Sequence, residues 1–230
     1  NTVINPQFKA TSLIIFPSIQ IACEAVQVLR HEPVAAVELL DRQSLKSVES
    51  APGVPPFIKG LPDGCCALLV ETHTQTEEEL IRNVDEITES IKHIETTLPF
   101  IFTRDLKEIA AFWKIRQEAL PTVAGLRKTG TTAVIEDVCF PVDSLAKAVA
   151  DVREVLHRNH YDDAGIFGHA LAGNLHFMFN QDFQTPSEVE RFHKFMDEIA
   201  EVVVGKYDSS MKAEHGTGRP QRHHGAGAGA

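Results

Sequence analysis

Apolar residues run along this chain in two rhythms. Short β-branched stretches, "TSLIIFP" (11–17), "VAAVELLD" (34–41) and "CCALLVET" (65–72), predict buried strands. Between the first two, Ser18 caps a helix to about Arg30 whose inner face is Ile21, Ala25, Val28 and Leu29. After the third, Thr76 and Glu79 form a capping box, opening a helix with Leu80, Val84, Ile87, Ile91 and Ile94 at helical spacing. "SAPGVPPFIKGLPDG" (50–64) carries four prolines and three glycines and predicts a loop. "PFIFT" (99–103) predicts a closing strand. The order is β-α-β-β-α-β, a split βαβ or ferredoxin-like unit over about residues 10–104.

The grammar then repeats. Asp105 and Glu108 begin a helix, and a polar, glycine-bounded break follows from Gly125 to Gly130. "TAVIEDVCFP" (132–141) predicts a strand, and Asp143 starts a helix with Leu145, Val149, Val152 and Leu156 facing inward. "AGIFGHALAGNLHFMFN" (164–180) predicts a strand, a glycine-containing turn and a second strand. Thr185, Pro186 and Glu188 combine an N-cap, an N1 proline and a capping box for a helix running to about Tyr207. The expected fold class is therefore α+β: tandem ferredoxin-like halves at 10–104 and 131–207, with an antiparallel sheet and helices packed on one face. The domain spans residues 1–219. The tail "RPQRHHGAGAGA" lacks periodicity, and residues 220–230 are expected to be disordered.

Composition narrows the function classes. A chain of 230 residues with 43% hydrophobic and 23% charged residues can bury a substantial core. A net charge of −10 without a Lys/Arg stripe argues against a nucleic-acid footprint. No apolar run reaches the roughly 18–20 residues that span a bilayer. The first residues, "NTVINPQFKA", lack a signal peptide and an initiator Met, so a fragment of a longer protein is expected. It is expected in the cytoplasm, or peripheral to the inner face of the membrane. Cys23, Cys65, Cys66 and Cys139 form no C-x-x-C pair, which predicts reduced, partly buried thiols.

The chemistry-bearing residues gather in three places. In "FGHALAGNLHFMF" (167–179), His169 and His176 sit on successive strands and come opposite each other if 170–175 form the turn. Paired imidazoles suit a divalent metal whose remaining ligands come from elsewhere. Strand histidines are more often packing residues with satisfied nitrogens. In "MKAEHGTGR" (211–219), Glu214 offers a carboxylate ligand and His215 a base of near-neutral pKa, between glycines that let a backbone approach a ligand. The same turn also reads as a helix end whose histidine complements the dipole. Arg116 shares a helix stripe with Ile109 and Trp113, either snorkelling to the surface or awaiting an anion. Lys212 and Arg127 are weaker candidates for that role. The acids of "IED" (135–137) read as a solvated strand edge.

Together, "IEDVCFPVDSL", "IFGHALAGNLHF" and "YDSSMKAEHGTGR" resemble the C-terminal domain of the FAD-linked oxidases, over roughly residues 10–219. That group includes D-lactate dehydrogenases, glycolate oxidases and D-2-hydroxyglutarate dehydrogenases. The resemblance implies a ferredoxin-like domain capping an FAD held mainly by a separate FAD-binding domain of the same parent protein. It implies His169, His176 and Glu214 as ligands of a divalent metal, zinc or manganese. His215 would take the substrate hydroxyl proton as C2 gives hydride to flavin N5. Arg116 and Asn174 would bind a small 2-hydroxyacid. Ala172, Met178 and Ile135 depart from residues common in the family, which leaves the hydroxyacid open, and no glycine-rich pyrophosphate fingerprint appears. Two other readings stand beside it: a stand-alone metallohydrolase using His169, His176 and Glu214, and a non-catalytic assembly domain. Surfaces that normally meet the FAD domain would favour self-association.

Overall fold

The computed structural model describes residues 6–125 and 129–213. In chain order, β1 (Phe8–Phe16), α1 (Ile19–Leu29), β2 (Ala36–Asp41), α2 (Arg42–Val48), β3 (Cys66–Thr74) and α3 (Glu77–Ile91) form the first half. The helix α4 (Leu106–Gly125) crosses to the second half. There β4 (Thr131–Cys139), α5 (Leu145–Arg158), β5 (Gly165–His169), β6 (Asn174–Asp182) and α6 (Pro186–Ala200) follow, and α6 continues as a π-helical turn over Glu201–Lys206. The caps read from sequence are in place: Ser18, Thr76 and Thr185 each accept a backbone N–H from the first turn of their helix.

All six strands join one antiparallel sheet in the order β1-β3-β2-β5-β6-β4. Its two halves mirror each other across the β2–β5 seam, where Glu38, Leu39 and Leu40 face His169, Gly168 and Phe167. The segment expected as a strand at 99–103 is reduced to one bridge. Thr11 and Thr103 exchange backbone hydrogen bonds at 3.0 and 2.9 Å, and Thr97 donates to Ile15 at 2.7 Å. Pro99 between these anchors has no N–H to give, so a ladder cannot run through it. Ser210 bridges Cys139 at the opposite edge in the same manner.

The helices cover both faces of the sheet, not one. α1, α3, α5 and α6 pack on the first face against Ile14, Phe16, Leu39, Leu68, Phe177 and Phe179. α2 and α4 pack on the second face, where Leu45, Val48, Ile115 and Ala119 meet Leu13, Ile15, Leu40 and Leu69. The pattern behind this was visible, because strands apolar at every position must be covered twice. The helix α2 went unread because only seven residues separate Asp41 from Glu49. Asp41 caps it, accepting the Ser44 N–H at 2.8 Å. The proline-rich stretch is a loop as expected, with one 3-10 turn at Pro56–Gly60.

On the second face, α4 is tied to the sheet by polar contacts as well as apolar ones. The indole N–H of Trp113 donates to Glu71 at 2.7 Å, and the Thr11 hydroxyl donates to the same oxygen at 2.6 Å. His73 lies 2.5 Å from the other oxygen. Burial raises the Glu71 pKa, but these donors outweigh it, and the net shift is downward. A carboxylate with a depressed folded pKa stabilises the fold above its unfolded pKa of about 4.3, and that contribution disappears as the pH falls through the folded value. Glu71→Gln should therefore lower the melting temperature at pH 7 and flatten its decline on the acid side, relative to the native chain. Parallel melting curves between pH 7 and pH 3 would count against this role.

Candidate functional site

The second face of β2, β5, β6 and β4 is a lattice of side chains set by strand alternation and register. One row runs Glu38, His169, Asn174, Cys139; the next runs Leu40, Phe167, His176, Asp137; a third runs Gly165, Met178, Ile135. His169 and His176 thus share a face but are not directly opposite. His169 pairs with Asn174, and His176 pairs with Phe167, so the histidines meet on the diagonal. The turn is shorter than 170–175: a 3-10 turn over Ala170–Ala172 closes on Gly173, whose φ of +67° is left-handed. The rings still meet edge to face, with centroids 5.9 Å apart.

A carboxylate stands at Nδ1 of each ring. His169 Nδ1 is 2.7 Å from Glu38 Oε1, while Arg116 Nε donates to Glu38 Oε2 at 2.8 Å. His176 Nδ1 is 3.2 Å from Asp137 Oδ1, a longer and less aligned approach, while Asp137 Oδ2 accepts the backbone N–H of Ala213 at 3.1 Å. The two sites differ in exposure. The His169 side chain is 41% exposed and that of His176 is 3% exposed.

Arg116 does not snorkel. Its side chain is 15% exposed, turned in from α4 onto Glu38, with its guanidinium carbon 5.3 Å from the centroid of Phe167. Asn174 is buried, and its Oδ1 finds no donor among the described residues. The "IED" acids are not a solvated edge: Glu136 and Asp137 are both buried, and Asp137 belongs to the histidine cluster. Sequence reading also missed Glu38. The available signal was one acid inside the apolar run "VAAVELLD", where a charge needs a partner. Lys212 is exposed. Glu214, His215 and Arg127 lie outside the described residues, and among those described no three His, Cys, Asp or Glu side chains form a metal-binding group.

None of the cysteines is in a disulfide; Cys23, Cys65 and Cys66 are buried, and Cys139, half-buried, ends the row that holds His169 and Asn174. Burial pushes the Cys23 thiol up to about 12 and raises Cys66 well above its usual range, so both stay protonated and inert.

This sheet with its helices is shared with solved structures of p-cresol methylhydroxylase (TM-score 0.63, 15% identity, 90% of this chain and 45% of that one) and alkyldihydroxyacetonephosphate synthase (TM-score 0.58, 13% identity, 89% and 40%). At those identities the likeness is one of fold alone. The sequence goes further: the family described as FAD linked oxidases, C-terminal domain, matches residues 5–226, and the chain belongs to it. Among its relatives are a probable mitochondrial D-lactate dehydrogenase of Danio rerio (26% identical, 94% of this chain) and the glycolate oxidase protein GlcD of Bacillus subtilis (26%, 94%). A D-2-hydroxyglutarate dehydrogenase of Haemophilus influenzae is 28% identical over 65% of this chain. The chain spans 42%, 44% and 15% of those three proteins.

Proposed function

We propose that the chain is the substrate- and metal-binding domain of an FAD-dependent D-2-hydroxyacid dehydrogenase, active only beside an FAD-binding domain of the same parent protein. The observation that carries this reading is the diagonal pair His169 and His176, each ring backed by a carboxylate, with Arg116 on the same network. Family membership and the names of the relatives support the rest.

The residues fit a divalent ion. Metal-bound histidines commonly turn their other nitrogen to a carboxylate; His169 Nδ1 is bonded to Glu38 in this way, and His176 Nδ1 faces Asp137 Oδ1 at 3.2 Å, which leaves Nε2 of each ring as the ligand atom. Glu214, the residue after the Ala213 that Asp137 holds, would be the third ligand. Two imidazoles and a carboxylate suit zinc or manganese. When bound, the flavin supplies a two-electron acceptor and the cation supplies Lewis acidity.

The chain's own residues do the remaining work. Glu38 holds Arg116 by Nε, so the terminal guanidinium nitrogens remain for a two-pronged grip on a substrate carboxylate. Asn174 Oδ1, without a donor among the described residues, accepts from a substrate hydroxyl. The imidazole of His215 takes the hydroxyl proton. The second face around these residues is the surface that an FAD-binding domain would cover. We also read each half as a ferredoxin-like unit whose fourth strand has shrunk to the Thr103 or Ser210 bridge.

Elemental analysis tests the metal assignment. The chelator-washed chain, given zinc or manganese, should retain about one ion per chain, held by three protein ligands with a position left open. His176→Ala should lose that ion while keeping a native circular-dichroism spectrum. A native chain that retains none contradicts the assignment.

A further inference from the structure

Glu38 and Asp137 have a feature in common beyond facing a histidine: in each, one carboxylate oxygen is committed to a fixed donor. Glu38 Oε2 accepts from Arg116 Nε, and Asp137 Oδ2 accepts from the Ala213 backbone. The other oxygen of each faces a histidine Nδ1, at 2.7 Å and 3.2 Å. An ionised carboxylate only accepts hydrogen bonds. A ring nitrogen hydrogen-bonded to it carries the proton, as His169 Nδ1 does toward Glu38; His176 Nδ1 approaches Asp137 at 3.2 Å with poorer alignment.

We propose that Glu38 and Asp137 are positioning residues that set the tautomers of His169 and His176, placing the proton on Nδ1 of both rings and leaving both Nε2 atoms as lone-pair donors. The proposal deepens the metal reading above but is tested without metal. Imidazole in water favours the opposite tautomer, so both rings would be held against their own preference. The two carboxylates also tie the histidines to neighbouring elements. Through Glu38 the position of His169 depends on α4, and through Asp137 that of His176 depends on the segment leading to Glu214.

The common geometry makes the amide isosteres decisive. In Glu38→Gln, Arg116 needs the single amide oxygen, so the NH2 is turned toward His169 Nδ1. An NH2 can only donate, and His169 must move its proton to Nε2. In Asp137→Asn, the Ala213 N–H claims the oxygen and His176 must invert likewise. Adding Arg116→Met to Glu38→Gln releases the amide oxygen and should return His169 to the Nδ1–H form. A purely structural role for Glu38 does not predict that rescue.

Long-range 1H–15N correlation spectra of the metal-free, 15N-labelled 230-residue chain near pH 8 read these states directly. His→Gln variants assign the two rings among the 11 histidines. The expected result is Nδ1–H for both in the native chain, inversion of His169 alone in Glu38→Gln, and inversion of His176 alone in Asp137→Asn. Zinc titration of the same variants should give affinities about 10–100-fold weaker, the usual effect of losing a carboxylate behind a ligating histidine. Nε2–H on either ring of the native chain overturns the proposal whatever the variants do. So does an unchanged His169 tautomer in Glu38→Gln. Native Nδ1–H tautomers with the predicted inversions, but no zinc bound, would uphold the positioning role and defeat the metal reading instead.

Discussion

Gly173→Ala should destabilise the domain by about 4 kcal/mol or more, since strain and an unrelieved clash add at one position. Gly173 turns the chain between the two histidines with φ at +67°, where a side chain is strained. A Cβ built there would lie 1.8 Å from the carbonyl oxygen of Phe140, a backbone atom with nowhere to go. The same contact is what clamps the turn to the sheet edge, because the Phe140 N–H donates to the Gly173 carbonyl at 2.9 Å. Relieving the clash means parting the turn from the end of β4, which would also disturb the meeting of His169 and His176. Thermal melts should show a fall of about 10 °C or more, at roughly 2–4 °C per kcal/mol for a chain of this size. Gly60→Ala is the matched control, with no atom within 4 Å of its Cβ, and should melt close to the native chain. Equal melting temperatures for the two variants would mean that the turn is not clamped as described.

His215→Asn in a protein carrying both domains should cut turnover about 10²–10⁴-fold, the range general base catalysis contributes. Asparagine keeps a polar side chain but cannot take a proton near neutral pH, whereas imidazole can. Substrate binding, which the reading assigns to Arg116 and Asn174, should change little. The loss therefore falls on kcat and not on KM. Turnover within a few-fold of native would remove His215 from the role of base.

Much of the architecture was legible because the sequence obeys local rules. Capping boxes fixed the starts of α3 and α6, and apolar spacing fixed the inner face of α5. What failed to show was non-local. The strand expected at 99–103 has the right composition, yet Pro99 and its place beyond the sheet edge reduce it to a bridge. The hidden helix α2 is too short for periodicity to register. The second helical layer follows from continuous apolar strands, a pattern that says two faces are covered but not by which helix.

The site divided in the same manner. His169, His176 and Arg116 were singled out from type and spacing, and the structure brings them onto one face and one network. Their alignment depends on register, which placed the histidines diagonally and not in a direct pair. Glu38 lies 131 residues from His169 in sequence and 78 from Arg116, so no local pattern could join the three. Asp137 looked like an edge residue because β4 does end the sheet, but Ser210 and Ala213 close over that edge.

The most direct test of the account is anaerobic flavin reduction by a protein that carries this chain together with its FAD-binding domain. D-lactate, glycolate or D-2-hydroxyglutarate should bleach the oxidised flavin absorbance, with at least one doing so within catalytic time, and Arg116→Met should abolish the response at the same substrate concentration. A flavin that stays oxidised with every 2-hydroxyacid offered would contradict the assignment of this domain to hydroxyacid oxidation.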